Sequence, residues 1–180
     1  MNYGRILKND IANGPGVRTS LFVSGCTHHC RECFNPETWD FSYGKEYTTK
    51  EEGEIIASLL PRYIRGLTIL GGEPFEPPNQ EAVFGLIQRV RKDIPGKDIW
   101  IFSGYDWEEL TDEDHPVRTA YTDRILGMID IIVDGEFHIE EKDISLRFRG
   151  SANQRIIDVK KTLATGGVVL SKYIEKVRNS

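Results

Sequence analysis

The sequence predicts an α/β fold built around a mostly parallel sheet. Short apolar runs rich in β-branched residues alternate with stretches whose apolar residues recur at helical spacing, and this alternation is typical of βαβ units. The chain has 180 residues, whereas a closed eight-stranded βα barrel needs about 250. We therefore expect a partial, open βα barrel of about five or six mostly parallel strands, folded as a single domain over residues 1–180.

Four apolar runs predict the strands of this sheet. The first, TSLFV, follows the turn-forming residues NGPG and ends before Gly25, and turn residues also bound the later runs. Their continuous apolar character fits strands that are covered on both faces. The predicted strands are residues 19–23, 67–70, 98–102 and 129–137.

Helical periodicity predicts the segments between the strands. A helix begins near Thr49, with Thr48 or Thr49 as its N-cap, acidic residues in its first turn and apolar residues at helical spacing behind them. A second helix covers residues 79–92. The acidic segment around Trp107 and a stretch that ends near Met128 predict two further short helices.

Turn-forming and polar motifs follow the predicted strands. The cysteines come after the first strand, GGEP at residues 71–74 after the second and SGY at residues 103–105 after the third, and VDGEF at residues 133–137 ends the fourth. The carboxyl ends of parallel strands share one edge of a sheet, where parallel α/β folds bind their ligands. We therefore expect these motifs to form one site.

Composition makes several classes of partner unlikely on physical grounds. The net charge of -5 and the pI near 5.4 give no general attraction to nucleic acid or anionic lipid, so we expect neither nucleic acid nor a membrane as partner. No apolar run approaches the roughly 20 residues of a membrane helix, and the N-terminal MNYGRILKND lacks the apolar segment of a signal peptide. We therefore expect a cytoplasmic protein.

The three cysteines of the chain, Cys26, Cys30 and Cys33, lie close together in the sequence. An odd, clustered set is a poor disulfide framework, and buried unreactive thiols do not suit the hydrophilic loop CTHHCRECFN. Structural zinc with His28 or His29 as the fourth ligand is one alternative. The other is a 4Fe-4S cluster in which three thiolates bind three irons and the fourth iron stays open to a substrate.

This Cys-x-x-x-Cys-x-x-Cys loop after the first strand resembles that of the radical S-adenosylmethionine enzymes. The resemblance implies that the open iron chelates the methionine part of S-adenosylmethionine. One electron from the reduced cluster then cleaves the sulfonium to a 5'-deoxyadenosyl radical. GGEP is similar to the family's motif for the methionine amino group, which implies contacts from backbone oxygens around Gly71 and Gly72 and from the Glu73 carboxylate.

Longer strings narrow the resemblance within that family. NGPGVRTSLFVSGC at residues 13–26 resembles the activases of glycyl radical enzymes, and VDGEF with RFRGSANQRIIDV at residues 147–159 is similar to those that activate anaerobic, class III ribonucleoside-triphosphate reductases. The resemblance implies that the radical abstracts hydrogen from a C-terminal glycine of the large catalytic subunit, with a reduced flavodoxin-type electron donor. An activase of another glycyl radical enzyme, such as pyruvate formate-lyase, and a zinc-stabilised interaction module remain alternatives.

The resemblance also implies a set of site residues. Glu32 stands where many members carry an aromatic residue beside the adenine, and Phe34 supplies an apolar contact there instead. Ser103 follows from its place at a strand end, as a candidate for the ribose or carboxylate of the cosubstrate. Asp134 follows from its place at another strand end, as a candidate for binding ribose hydroxyls or for positioning the target glycine loop. The predicted cluster ligands are Cys26, Cys30 and Cys33, and the predicted cofactor-binding residues are Glu32, Cys33, Phe34, Gly71, Gly72, Glu73, Pro74, Ser103 and Asp134.

The motifs also divide the chain into parts. They place the core of the domain at about residues 13–159 and leave a C-terminal extension at residues 160–180. Because so short a chain does not easily close its own barrel, we expect the glycine-bearing loop of the partner to complete the site and to cover its open side.

Overall fold

A computed structural model describes residues 1–174 of the chain. Within these residues, one sheet holds seven strands in the order β3-β1-β2-β4-β5-β6-β7. The strands are β1 (Asn2–Asp10), β2 (Val17–Val23), β3 (Lys45–Glu46), β4 (Ile64–Gly71), β5 (Asp98–Phe102), β6 (Ile131–Asp134) and β7 (Arg155–Asp158).

The centre of the sheet is parallel and its edges are antiparallel. β2, β4, β5 and β6 pair in parallel one after another, whereas β1, β3 and β7 run antiparallel to their neighbours. The predictions of an α/β fold, of parallel βαβ units and of an open sheet are confirmed. The predicted number of five or six strands is wrong, because three edge strands, β1, β3 and β7, join the four central strands and give seven.

The edge strands were not predicted from the sequence, because they lack a continuous apolar run. β1 has the mixed sequence NYGRILKND, most of its residues are only partly buried, and irregularities interrupt its register with β2. The central strands are buried on both faces and are therefore nearly all apolar. An edge strand that is half exposed carries a weaker pattern.

The helices largely follow the predicted positions. Thr48 caps the first helix, and together with Glu51 it forms a capping box. The second helix starts at a pair of prolines, which suit the first turn of a helix. The helices are α1 (Thr49–Leu59), α2 (Pro77–Asp93), α3 (Trp107–Thr111), α4 (Thr122–Leu126) and α5 (Val159–Thr165). In the described part of the chain, every helix is too short or too polar to cross a lipid bilayer.

The two faces of the sheet have different environments. Strand residues such as Leu21 and Ile69 join helix residues such as Ile55 and Ile87 in the main apolar core. Side chains alternate between the faces of a strand, so residues such as Phe22, Leu70 and Phe102 point to the other face and line a pocket there. A smaller apolar cluster around Trp100 fills the rest of that face.

The ends of the chain extend the predicted core. β1 adds residues before position 13 to the sheet. On the C-terminal side, Ser171 donates its backbone N–H to Ile156 and the Tyr173 ring packs 5.3 Å from that of Trp100. The predicted extension at residues 160–180 is thus packed on the sheet as far as residue 174, and its last part, residues 175–180, lies outside the described residues.

Candidate functional site

A pocket of about 690 Å³ lies beyond the carboxyl ends of the parallel strands. That volume falls in the range of roughly 300–1,000 Å³ that is usual for small-molecule sites. Its walls come from the segment that follows β2, from the turn that follows β4, from the end of β5 and from the long loop between β6 and β7. The lining residues that were predicted from the sequence are Cys26, Cys30, Cys33, Phe34, Gly71, Gly72, Glu73 and Ser103.

Residues 26–35, here called the cysteine loop, bring three free thiols to this pocket. Cys26 is buried, while Cys30 and Cys33 are partly exposed. The loop turns tightly, since Cys33 donates its backbone N–H to Cys30 and both His29 and Glu32 have positive φ angles of 51° and 61°. Left-handed backbone at two non-glycine residues is uncommon, and here it allows three thiols to face one space.

The start of the cysteine loop is pinned by backbone hydrogen bonds. Gly25 donates to Thr38 over 2.8 Å and Cys26 donates to Trp39 over 3.2 Å. Burial, with the nearby charge of Glu73, raises the pKa of the Cys26 thiol to about 12. Because iron binds thiolates, formation of an iron site here releases the thiol protons.

The donor set of the pocket consists of three cysteine thiols, all of which line it. A 4Fe-4S cluster takes each thiolate on a different iron, so three spaced thiols and an open pocket suit it.

The GGEP turn after β4 lies directly against the cysteine loop. Gly72 donates its backbone N–H to Val23 over 2.8 Å, and Glu73 donates to Gly25 over 2.7 Å. Gly71 has a φ of +111°, which glycine tolerates best, and a Cβ on Gly72 would lie 2.5 Å from the Gly25 carbonyl oxygen. Both glycines are therefore required for the two segments to meet.

The Glu73 side chain joins the ends of β4 and β5. Its carboxylate is buried and accepts hydrogen bonds from the backbone of Phe75 (2.8 Å), the hydroxyl of Ser103 (2.9 Å) and the backbone of Gly104 (2.6 Å). A buried carboxylate needs such donors. Glu73 thus forms part of the pocket wall and also holds that wall together.

His28 connects the cysteine loop to the Glu73 carboxylate. Its Nδ1 lies 2.7 Å from Glu136 Oε1, its Nε2 lies 3.5 Å from Glu73 Oε2, and its ring packs on Tyr105 with centroids 4.3 Å apart. Burial disfavours the charged ring, but the hydrogen bonds and charges of Glu73 and Glu136 outweigh it and raise the pKa of His28 to about 9. The sequence pattern suggested His28 only as a zinc ligand, because Glu136 is 108 residues away.

Three predicted residues lie outside the lining of the pocket. Glu32 is exposed on the tip of the cysteine loop, and Pro74 is buried behind the glycine turn. Asp134 is fully buried, and its carboxylate accepts hydrogen bonds from the Trp107 backbone and from Arg155. We find these three next to the wall of the site and not on its surface.

Arg155 explains the orientation of Asp134. The guanidinium binds Asp134 on one side and donates to both oxygens of Glu108 on the other, over 3.0 and 2.6 Å. The hydrogen bonds that Arg155 donates to these two carboxylates raise the pKa of Arg155 above its ordinary value. The network ties the end of β6 to β7 and to α3.

The polar string RGSANQR covers residues 149–155, and all of it except Arg155 lies in the loop at residues 135–154, here called the capping loop. Its side chains form most of their hydrogen bonds within this loop. Arg149 donates to the Gln154 carbonyl over 2.7 Å, Gln154 donates to Gly135 over 2.9 Å, and Asn153 donates to Glu136 over 2.8 Å. The capping loop also lines the pocket with Phe137 of the VDGEF motif and with residues for which the sequence suggested no role there, among them Lys142, Ile144, Leu146 and Phe148.

A second groove, of about 840 Å³, lies on the helix side of the sheet. Its arginines are already paired, Arg89 with Glu52 and Arg91 with Asp130.

Comparison with known protein families separates the alternatives left open by the sequence. Residues 12–157 match the family of 4Fe-4S single cluster domains. The chain belongs to this family. The matched region runs from the turn before β2 to β7 and includes the cysteine loop, the glycine turn and the capping loop.

Individual relatives agree with the family. The chain is 46% identical over 158 residues to the anaerobic ribonucleoside-triphosphate reductase-activating protein of Vibrio cholerae, covering 87% of this chain and 97% of the relative. It is 41% identical over 156 residues to the protein of the same name from Escherichia coli K12, covering 86% and 96%. A third protein of that name, from Enterobacteria phage T4, is 38% identical over 158 residues, covering 87% and 93%. The resemblance inferred from the sequence is confirmed.

Proposed function

We propose that this chain is a radical S-adenosylmethionine enzyme that activates an anaerobic ribonucleoside-triphosphate reductase. The proposal is carried by one pocket that three free thiols and a glycine turn line together. When bound, a reduced 4Fe-4S cluster supplies the electron that splits S-adenosylmethionine into methionine and a 5'-deoxyadenosyl radical, which takes a hydrogen atom from a C-terminal glycine of the reductase. The products are 5'-deoxyadenosine and a glycyl radical on the partner.

The open sheet is, in this proposal, the partial βα barrel of radical S-adenosylmethionine enzymes. Its parallel central strands end at the edge where the cysteine loop, the glycine turn and Ser103 meet. In this proposal residues 1–180 form one domain, and the motifs that carry the chemistry fall within residues 13–159. That the family match covers residues 12–157 supports this division.

Cys26, Cys30 and Cys33 hold the cluster. Their three thiolates would hold a 4Fe-4S cluster, and a cluster held by three protein ligands would keep a position open for the amino and carboxylate groups of S-adenosylmethionine. The backbone hydrogen bonds at Gly25 and Cys26 keep the loop in place before iron binds, which lowers the cost of ordering the site.

The glycine turn, Ser103 and Phe34 receive the cosubstrate. Gly71 and Gly72 allow it to approach the backbone closely, and Phe34 offers an apolar face beside the adenine. Glu73 is buried and already bound to three protein donors. Its role is therefore to hold the turn and to supply negative charge toward the amino group, rather than to present a free carboxylate.

The three remaining predicted residues act indirectly. Glu32 sets the turn of the cysteine loop through its positive φ of 61°. Pro74 fills the space behind the glycine turn, where it is buried. Asp134 positions Arg155 and the start of α3 through the hydrogen bonds described above, so it supports the wall of the site.

The partner is the large catalytic subunit of the reductase, as the names of the relatives suggest. Those names favour this partner over pyruvate formate-lyase and over the zinc-stabilised module. A reduced flavodoxin-type protein supplies the electron, and the reaction takes place in the cytoplasm without nucleic acid or a membrane. The net charge of -5 supports the expectation that neither nucleic acid nor an anionic membrane takes part.

Anaerobic reconstitution tests the cluster. We expect about four irons and four sulfides per chain, lost in Cys26→Ser and kept in the matched control Arg31→Ala. Arg31 lies in the same loop, but its side chain is exposed and pairs with Glu140 at 3.7 Å. Zinc bound in stoichiometric amount without sulfide would refute the proposal.

Electron paramagnetic resonance tests the reaction. Reduced protein, S-adenosylmethionine and the large reductase subunit are expected to give a glycyl doublet on that subunit, and Cys26→Ser is expected to give none. If 5'-deoxyadenosine forms only when a metabolite is added, and no glycyl doublet appears, the chain is instead a radical S-adenosylmethionine enzyme that acts on a small molecule.

A further inference from the structure

The mouth of the pocket is bounded by two loops that touch each other. The Phe34 ring of the cysteine loop lies 6.2 Å from the Phe137 ring of the capping loop, and Lys142 Nζ lies 5.8 Å from the centre of the Phe34 ring. Arg31 and Glu140 add an ion pair at 3.7 Å. The two loops therefore form one continuous rim.

Two large apolar side chains of this rim are directed to solvent. Phe34 is 76% exposed and Ile144 is 95% exposed, and both also line the pocket. A single exposed apolar residue is common on protein surfaces. Two of them at the entrance of a reaction chamber, one on each loop, indicate a contact surface.

Hydrogen bonds within the capping loop hold Ile144 in its exposed position. Asp143 next to it accepts hydrogen bonds from the backbone and the hydroxyl of Ser145, over 2.8 and 2.6 Å. Gln154 accepts from the Gly150 backbone over 2.8 Å and so closes the base of the loop. A loop that is already ordered loses little entropy when a partner binds to it.

We propose that Phe34 and Ile144 are the contact surface for the glycine-bearing segment of the reductase. This inference rests on the proposed function, because the reacting atom is then a backbone carbon that has to enter this pocket. A glycine has no side chain of its own, so the apolar side chains of its neighbours meet the rim residues as the backbone passes between the loops. The recognised partner is an extended peptide segment with apolar residues beside the glycine.

The test measures how much reductase the activase needs. For Ile144→Asp, we expect the reductase concentration that gives the half-maximal rate of glycyl radical formation to rise about tenfold, since burial of one isoleucine is lost and a charge is placed at the contact. Ile144→Leu keeps the apolar surface and is expected to stay within about twofold of the unchanged protein.

Leu60→Asp provides the matched control. Leu60 is exposed at the C-terminal end of α1, away from the residues that line the pocket, and its substitution is expected to leave the half-maximal concentration unchanged. Reductase-independent formation of 5'-deoxyadenosine, measured per cluster, reports on the site itself. A rise in the half-maximal concentration with this rate retained supports the contact surface.

Two results would overturn the inference. One is a half-maximal concentration for Ile144→Asp equal to that of the control. The other is a loss of reductase-independent cleavage in Ile144→Asp that accounts for the whole effect, because Ile144 then acts on the site and not on the partner. Failure of the proposed function is recognised separately, since the unchanged protein would then form no glycyl radical on the reductase at any concentration.

Discussion

Glu76 accepts two hydrogen bonds from Thr27, one from its backbone N–H over 2.7 Å and one from its hydroxyl over 2.6 Å. Thr27 is the residue after Cys26, and Glu76 stands immediately before α2. The carboxylate is buried. The cysteine loop is thereby anchored to the helix that follows the glycine turn, so that the cysteines and the turn keep a fixed separation.

Removal of this anchor is expected to loosen the cysteine loop. Glu76→Ala leaves the two donors of Thr27 without an acceptor, and we expect the free energy of unfolding of the cluster-free protein to fall by about 2 kcal/mol. Glu76→Gln keeps one side-chain oxygen acceptor and is expected to lose less than half of that. Chemical denaturation measures both, and iron retained after gel filtration reports the effect on the cluster.

Two controls separate the anchor from general effects of substitution. Thr27→Val keeps the backbone bond to Glu76 but removes the hydroxyl, which also interacts with the Tyr105 side chain, and should lie between the two Glu76 variants. Glu54→Ala removes an exposed carboxylate whose closest cation, Lys8, is 3.9 Å away, and should change stability by less than about 0.5 kcal/mol. If Glu76→Ala behaved like Glu54→Ala, the anchor would contribute nothing.

The glycine turn leads to a second prediction. In Gly72→Ala the new Cβ lies 2.5 Å from the Gly25 carbonyl oxygen and 2.9 Å from that of Thr38. Both are backbone atoms, so the turn and the cysteine loop have to move apart, at a cost of roughly 1–3 kcal/mol. We expect reconstitution to yield protein with less than half the iron of the unchanged chain.

Gly85→Ala is the matched control for that experiment. Gly85 lies within α2, and a Cβ there meets no atom within 4 Å. Alanine is the better helix former, so this variant is expected to gain about 0.5–1 kcal/mol in stability and to bind iron normally. Equal iron content in the two alanine variants would show that the contact at Gly72 is not tight.

The sequence predicts the central strands, the longer helices and the edge of the sheet that carries the site, because the patterns that indicate them are local. Apolar runs such as residues 98–102 and the capping Thr48 need only their neighbours to be interpreted. The edge strand β1 was not accessible, since its register depends on β2 and its own sequence is mixed in polarity. A strand of two residues, β3, carries no periodic signal at all.

The roles of the buried acids depend on distant residues. Asp134 is the last residue of β6, a position typical of ligand-binding acids, but its partner Arg155 is 21 residues further along. Glu76 and Thr27 are 49 residues apart. A single sequence shows which residues stand at the ends of strands, whereas the direction in which each carboxylate points is decided by partners that only the fold brings close.

Asp134 leads to a third prediction. Asp134→Asn removes the buried charge that pairs with Arg155, and we expect a loss of about 2–3 kcal/mol in the free energy of unfolding. The fraction that assembles a cluster should keep its KM for S-adenosylmethionine within about twofold. A rise in KM without a loss of stability would instead place Asp134 in contact with the cosubstrate.

The control for Asp134 lies on the other side of the same arginine. Glu108→Gln removes the exposed partner of Arg155, and exposed ion pairs contribute less than about 1 kcal/mol. This variant is expected to unfold nearly like the unchanged protein. A larger loss than in Asp134→Asn would mean that the network is centred on Glu108.

The last prediction concerns pH and the edge of the sheet opposite the pocket. Asp130, just before β6, binds Lys160, Arg91 over 2.6 Å and the backbone N–H of Ile99 over 2.8 Å. Burial alone would raise the pKa of Asp130, but these three hydrogen bonds outweigh it and lower the pKa below its ordinary value. A carboxyl group whose pKa is lower in the folded state stabilises that state at any pH above its unfolded value of about 3.9.

Asp130→Asn should therefore be less stable than the unchanged protein at pH 7, by about 2 kcal/mol. The difference is expected to persist down to about pH 4 and to shrink as the pH falls further through the lowered pKa of Asp130, because the unchanged protein then loses its charge as well. Urea denaturation of the cluster-free protein between pH 3 and pH 7 measures it. The control is Asp123→Asn, which removes an exposed partner of Arg118. Its free energy of unfolding should differ from that of the unchanged protein by less than about 0.5 kcal/mol at every pH in this range. A difference for Asp130→Asn that stays constant from pH 3 to pH 7 would contradict the ion pairing of Asp130.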